Sequence, residues 1–107
     1  GHKDCGGIKY GHDLHSGSAN TSYEFINKWL SILLPAYNKI QKNFSKQKQI
    51  NQLELESIKI SVNNLFSFPF IKKAVDENNL SIHGFIHDIG SGNLKFLNPV
   101  TDDFENF

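Results

Sequence analysis

From Tyr23 onward the chain alternates between apolar and polar positions with a clear period. Ile26, Trp29, Leu30, Leu33, Tyr37 and Ile40 recur at three- and four-residue steps, the spacing of one helical face. Ser22 is the expected N-cap, with Glu24 and Phe25 in the first turn, and Pro35 is expected to kink or stop the helix near Leu34. The most regular pattern covers Gln52 to Phe66. Leu55, Ile58, Val62 and Leu65 form one stripe, while Leu53 and Ile60 begin a second, which predicts a helix buried on two sides. Ser67-Phe68-Pro69 ends it, because a residue preceding proline avoids helical geometry. Pro69 then opens another helix that carries Ile71, Ala74 and Val75 inward and closes at Asn78 and Asn79. Leu80 to Ile89 alternates as a strand does. Gly90-Ser91-Gly92-Asn93 reads as a hairpin turn, and Leu94 and Phe96 alternate in the return strand.

The remaining segments are polar. Gly1 to Gly7 reads as a loop or tight turn, Ile8 to Tyr10 as the start of a short helix, and Gly11 to Ser22 again as loop. Asn38 to Gln52 reads as a solvated connector, helical or not, and the acidic tail from Asn98 as loose apart from its two phenylalanines. The order of turn, helices, strand and hairpin predicts a mixed α/β piece of one domain.

Composition narrows the function classes. The 107 residues are 38% hydrophobic and 21% charged, a globular balance. Eleven basic and eleven acidic residues cancel, which argues against an electrostatic nucleic-acid binder. No apolar run is long enough to span a membrane, and no secretory leader is visible. One cysteine makes no internal disulfide, so a reducing, cytoplasmic location is the expectation. There is no methionine, and every basic residue is lysine. These absences suggest a processed or truncated piece.

Chemistry concentrates at the start. His2-x-x-Cys5 places an imidazole and a thiol within one tight turn, the donor types that zinc takes. Gly6 and Gly7 let backbone approach a small ligand closely. Two donors are half a zinc site. His12 and His15 would complete an H-x2-C-x6-H-x2-H set, although solvated loop histidines are the simpler reading of both. His83 and His87 share a strand face about 13 Å apart, too far to grip one ion, and read as structural. Glu54 and Glu56 lie about 200° apart around a helix, so they form no catalytic pair; Glu56 is the candidate anchor for a backbone amide. The nine phenylalanines read as core.

Beyond spacing, the whole chain resembles the C-terminal half of a β-class carbonic anhydrase. Gly1-His2-x-x-Cys5-Gly6-Gly7-Ile8-Lys9 is similar to that family's G-H-x-x-C-G-G-[IV]-[KR] zinc motif. Phe25-Ile26-x-Lys28-Trp29-Leu30-Ser31 with Pro35-Ala36 resembles a helix of a bacterial branch. So does the long segment from Leu53-Glu54-x-Glu56-Ser57-Ile58 through Asn64-Leu65 to Phe68-Pro69-Phe70-Ile71. Leu80-x-x-His83-Gly84 with Asp88-Ile89-x-x-Gly92-x-Leu94 resembles the closing strand and hairpin.

The resemblance implies a Rossmann-like, mostly parallel sheet with flanking helices and a C-terminal edge hairpin, the N-terminal half of the domain being absent. It implies reversible hydration of CO2 to bicarbonate and a proton, with Zn2+ as cofactor and a homodimer or higher oligomer as the assembly. His2 and Cys5 would be two of three protein ligands, and the Gly6 amide would lie near an oxygen of bound substrate. In the family an upstream C-x-D-x-R segment supplies the first zinc cysteine and an aspartate–arginine dyad; the sequence holds neither a second cysteine nor any arginine. The expectation is therefore a fragment inactive alone, with apolar helix faces uncovered at Tyr23 to Leu34 and Leu53 to Phe66. Two other readings stay beside it: a zinc-free structural or interaction remnant, and the local zinc site with His12 and His15.

Overall fold

In the computed structural model, which describes residues 1–20 and 22–107, five helices and three strands follow one another. They are α1 (Gly6–Ser16), α2 (Glu24–Leu30), α3 (Leu34–Tyr37), α4 (Lys46–Phe66), α5 (Pro69–Asp76), β1 (Phe85–His87), β2 (Leu94–Leu97) and β3 (Phe104–Asn106), with a 3-10 turn at Ser31–Leu33.

The long helix begins earlier than its apolar stripe. Ser45 caps α4 by accepting a hydrogen bond from the Lys48 amide at 3.3 Å. The Gln49 side chain donates to the carbonyls of Lys42 and Phe44, which ties the connector to the first turn. Half of the connector expected from Asn38 to Gln52 is thus helix, because a cap and local side-chain bonds outweigh its polar composition. The face α4 buries is Ile50, Leu53, Glu54 and Ile58. It packs on α1, α3 and β1, around a core of Ala36, Ile40 and Leu53 flanked by Ile8, Tyr37 and Ile60.

Further differences from the sequence reading have local causes. α1 runs through Gly11 and His12, both buried, where a loop was expected; a Cβ on Gly11 would stand 2.5 Å from Leu33 Cδ1, so any larger residue there displaces the Leu33 side chain. Ser22 does not cap α2, whose N-cap is Tyr23; its amide and hydroxyl both donate to Asn20 Oδ1. Pro35 breaks the second helical stretch as expected, through the 3-10 turn and into the four residues of α3. Pro69 stands in the first turn of α5, preceded by extended Phe68. The expected strand from Leu80 is paired only over Phe85–His87, and the tail is not loose throughout, since Phe104–Asn106 pairs with β2.

The sheet corrects the expectation of a mostly parallel one. Its order is β1-β2-β3, and both pairings are antiparallel. One parallel element remains: His2 bridges His87 on the other edge of β1. There the Lys3 amide donates to the His87 carbonyl at 2.8 Å and the His87 amide to the Gly1 carbonyl at 3.0 Å. Three residues of parallel pairing, joined to β1 through the helices, make an α/β crossover.

Candidate metal centre

The parallel bridge fixes where the candidate donor His2 leaves the backbone. The backbone from Gly1 to Lys3 is bonded to the edge of β1, so His2 leaves the sheet from a held position. Its Nδ1 lies 3.0 Å from the Lys3 carbonyl. A ring that donates through Nδ1 presents an unprotonated Nε2, the arrangement found in histidines that bind metals.

Two residues later the chain turns sharply. Asp4 has φ 58°, the left-handed region, where aspartate is among the few side chains tolerated. Its amide donates to Glu54 Oε2 at 2.7 Å. Cys5 follows in extended conformation as the N-cap of α1, with no side chain capping the helix. The first amides of α1 are therefore left without a side-chain acceptor, at the helix end where the dipole favours anions. A Cβ on Gly7 would stand 3.7 Å from Cys5 Sγ, whereas one on Gly6 would meet nothing within 4 Å. Gly6 is thus open for close approach to its amide.

Glu54 is the residue that the sequence reading misassigned. Amide anchoring was expected of Glu56, which instead pairs with Lys59 at 3.5 Å, while Glu54 makes the bond and is only 3% exposed. The row Ile50, Glu54, Ile58 at four-residue spacing was the available signal, a carboxylate in line with two buried isoleucines. Burial pushes the Glu54 carboxyl above the ordinary glutamate range, against the opposing pull of the Asp4 amide and of Lys3.

The other histidines do not join the turn. Cys5 and His12 are seven residues apart along α1, about 10 Å of helix rise, too far to share one ion. His12 is buried, with Nε2 2.9 Å from Gln49 Oε1 and its ring edge-on to Tyr37; His15 Nε2 is 3.0 Å from the Leu30 carbonyl. Both are held inside the helical layer and neither is a solvated loop histidine. His87 serves the site through its backbone alone, and His83 is exposed beside the Phe85 ring. Among the described residues no three His, Cys, Asp or Glu side chains converge on a common point. His2 and Cys5 are the two candidate donors that this turn carries. Imidazole and thiolate suit zinc, which takes four ligands, so the pair fits half of such a centre.

The sequence model of the carbonic anhydrase family matches residues 1–94. Beta carbonic anhydrase 3 of Arabidopsis thaliana is 38% identical over 95 residues, covering 86% of this chain and 37% of that protein. The chain belongs to the β-carbonic anhydrase family. A carbonic anhydrase of Helicobacter pylori is 26% identical over 111 residues, covering 98% of this chain and 49% of the relative. The solved β-carbonic anhydrase CcaA shares the fold, with a TM-score of 0.77 at 24% identity over all of this chain and 52% of its own. This chain thus spans about half, or less, of the carbonic anhydrases it matches. Among the described residues, no helix is long and apolar enough to cross a membrane.

Proposed function

We propose that these residues are the C-terminal part of one zinc-dependent carbonic anhydrase domain, which interconverts CO2 and bicarbonate. The observation that carries this reading is the donor turn: within a family match over residues 1–94, His2 is held on the sheet edge and Cys5 stands at the N-terminus of α1. His2 Nε2 and Cys5 Sγ would hold the ion, and donors from outside the 107 residues would complete its shell. Bound zinc acts there as a Lewis acid that lowers the pKa of water to about 7.

The chain's own residues do the rest of what can be assigned. The Lys3 carbonyl orients the His2 ring through Nδ1. The Gly6 amide, uncapped and open, donates to an oxygen of bicarbonate as charge gathers there. The proton leaves to solvent on the exposed side of His2. The exposed apolar face of α2 supports a homodimeric or larger assembly, and the lone cysteine a reducing, cytoplasmic setting.

The isolated chain, holding two donors, is expected to be inactive, with activity appearing when a segment bearing a cysteine and an aspartate–arginine pair is joined to it. CO2 hydration measured by stopped flow on both forms, and on His2→Ala and Cys5→Ala in the longer form, tests this. Loss of about 100-fold or more in each variant is expected from removing a metal ligand or its catalysis. Wild-type rates in either variant would overturn the reading.

A further inference from the structure

The turn between the two proposed donors is held from a distance. Asp4 stands in the left-handed region, which costs a non-glycine residue about 1 kcal/mol or more unless its surroundings compensate. Several contacts bear on that turn. The exposed Lys9–Asp4 pair at 3.7 Å contributes little. The Gly1–Lys3 bridge fixes the residues before the turn, and α1 fixes those after it. Among the described residues, only the Glu54 carboxylate reaches the strained residue's own amide, at 2.7 Å, from the buried face of α4. A carboxylate that is 3% exposed is otherwise an unfavourable choice beside Leu53 and Ile58, and nothing in the packing of α4 calls for one.

We infer that Glu54 is a positioning residue for the metal centre: by holding the Asp4 amide it locks the left-handed turn that sets His2 and Cys5 relative to one another. This inference rests on the proposed metal-binding role of the pair. It makes a distinction among isosteres. A glutamine accepts the same hydrogen bond through its side-chain oxygen, whereas leucine fills similar volume and accepts none.

The test uses the 107-residue chain with wild type, Glu54→Gln, Glu54→Leu and Cys5→Ala. Cobalt affinity is followed by the thiolate charge-transfer absorption, and hydrogen exchange at the Asp4 amide is followed without metal. Glu54→Leu is expected to weaken cobalt binding by about 10–100-fold, the usual effect of losing a residue that orients ligands, while Glu54→Gln stays within about 3-fold of wild type. Asp4 exchange is expected to speed up in Glu54→Leu alone. If Glu54→Leu does not fold, slow Asp4 exchange in wild type and Glu54→Gln supports the inference, and exchange as fast as an open loop overturns it. Wild-type affinity and Asp4 protection in folded Glu54→Leu, with binding lost in Cys5→Ala, overturns the inference and leaves the metal reading standing. Absence of cobalt binding in every form overturns the inference, because the turn then sets no ion-binding pair in this chain, while Asp4 protection lost only in Glu54→Leu leaves the lock on the turn.

Discussion

The Asp4 amide and the Glu54 carboxylate meet at 2.7 Å although fifty residues separate them in the chain. That bond joins the middle of the long helix to the two-residue gap between His2 and Cys5. It makes the donor turn a tertiary feature, dependent on α4 being docked, and the proposed chemistry consequently depends on the helical layer.

The burial of Glu54 has a pH signature, which the bond from the Asp4 amide opposes. Burial raises the Glu54 carboxyl in the folded chain, so the folded state binds this proton more tightly than the unfolded state does. Its protonated form therefore adds stability at low pH. That contribution is complete below the ordinary glutamate value and is lost as pH rises through the raised folded value. Urea denaturation of wild type and Glu54→Gln between about pH 4 and pH 7 isolates it. The wild-type minus variant difference is expected to fall as pH rises, and a flat or rising difference would contradict the assignment.

Three glycines separate packing from chemistry. Gly11→Ala drives a Cβ toward Leu33 Cδ1, and Gly84→Ala toward Ile58 Cγ2 at 2.9 Å and Leu97 Cβ at 3.3 Å. Each is expected to destabilise by roughly 1–3 kcal/mol, less any helix-propensity gain at Gly11. Gly6→Ala meets open space and should leave the melting temperature unchanged. Thermal melts of the three variants check the order.

Removing the α4 cap should loosen the whole helical layer. Ser45→Ala forfeits the bond from the Lys48 amide and is expected to cost about 0.5–2 kcal/mol in chemical denaturation. Ser45→Asp, which keeps an acceptor at the helix start, is expected to restore the stability.

The outer face of α2 is strongly apolar: Phe25 is 88% exposed and Trp29 67%, one turn apart, with Ile32 beyond them. Copies of the chain are expected to associate through this face as concentration rises. Sedimentation velocity should show the association weakened in a Phe25→Ser, Trp29→Ser double variant. Identical behaviour of the two proteins would contradict it.

Much of this architecture was legible because its signals are local. Pro35, Pro69 and the Gly90–Asn93 turn act through their own backbone, and each punctuates the chain where expected; the hairpin turn is further tied by Asp88 Oδ1, which accepts from the Gly90 amide at 3.1 Å. What escaped the sequence reading depends on partners distant in the chain. α1 looked like loop because Gly11 and His12 are poor helix formers, and only the approach of Leu33 explains the glycine. β3 rests on a single half-buried phenylalanine, Phe104, paired with Leu97. The antiparallel pairing of β1 with β2 was legible in the hairpin turn, whereas the mostly parallel sheet that the family resemblance implied is represented among the described residues by one bridge. His2 and Cys5 stood out as candidates through their spacing together with the resemblance of Gly1–Lys9 to the family motif. Glu54 did not, because a carboxylate on a helix is ordinarily solvated and only the fold brings Asp4 to it.

The most direct test of the account is zinc affinity of the 107-residue chain, measured by competition with a chromophoric chelator. Wild type is compared with His2→Ala, Cys5→Ala and a His12→Ala, His15→Ala double variant. The account predicts a weak site that loses about 10-fold or more in affinity with either single change and keeps its affinity in the double variant. Affinity that survives the loss of Cys5, or disappears with His12 and His15, would contradict it.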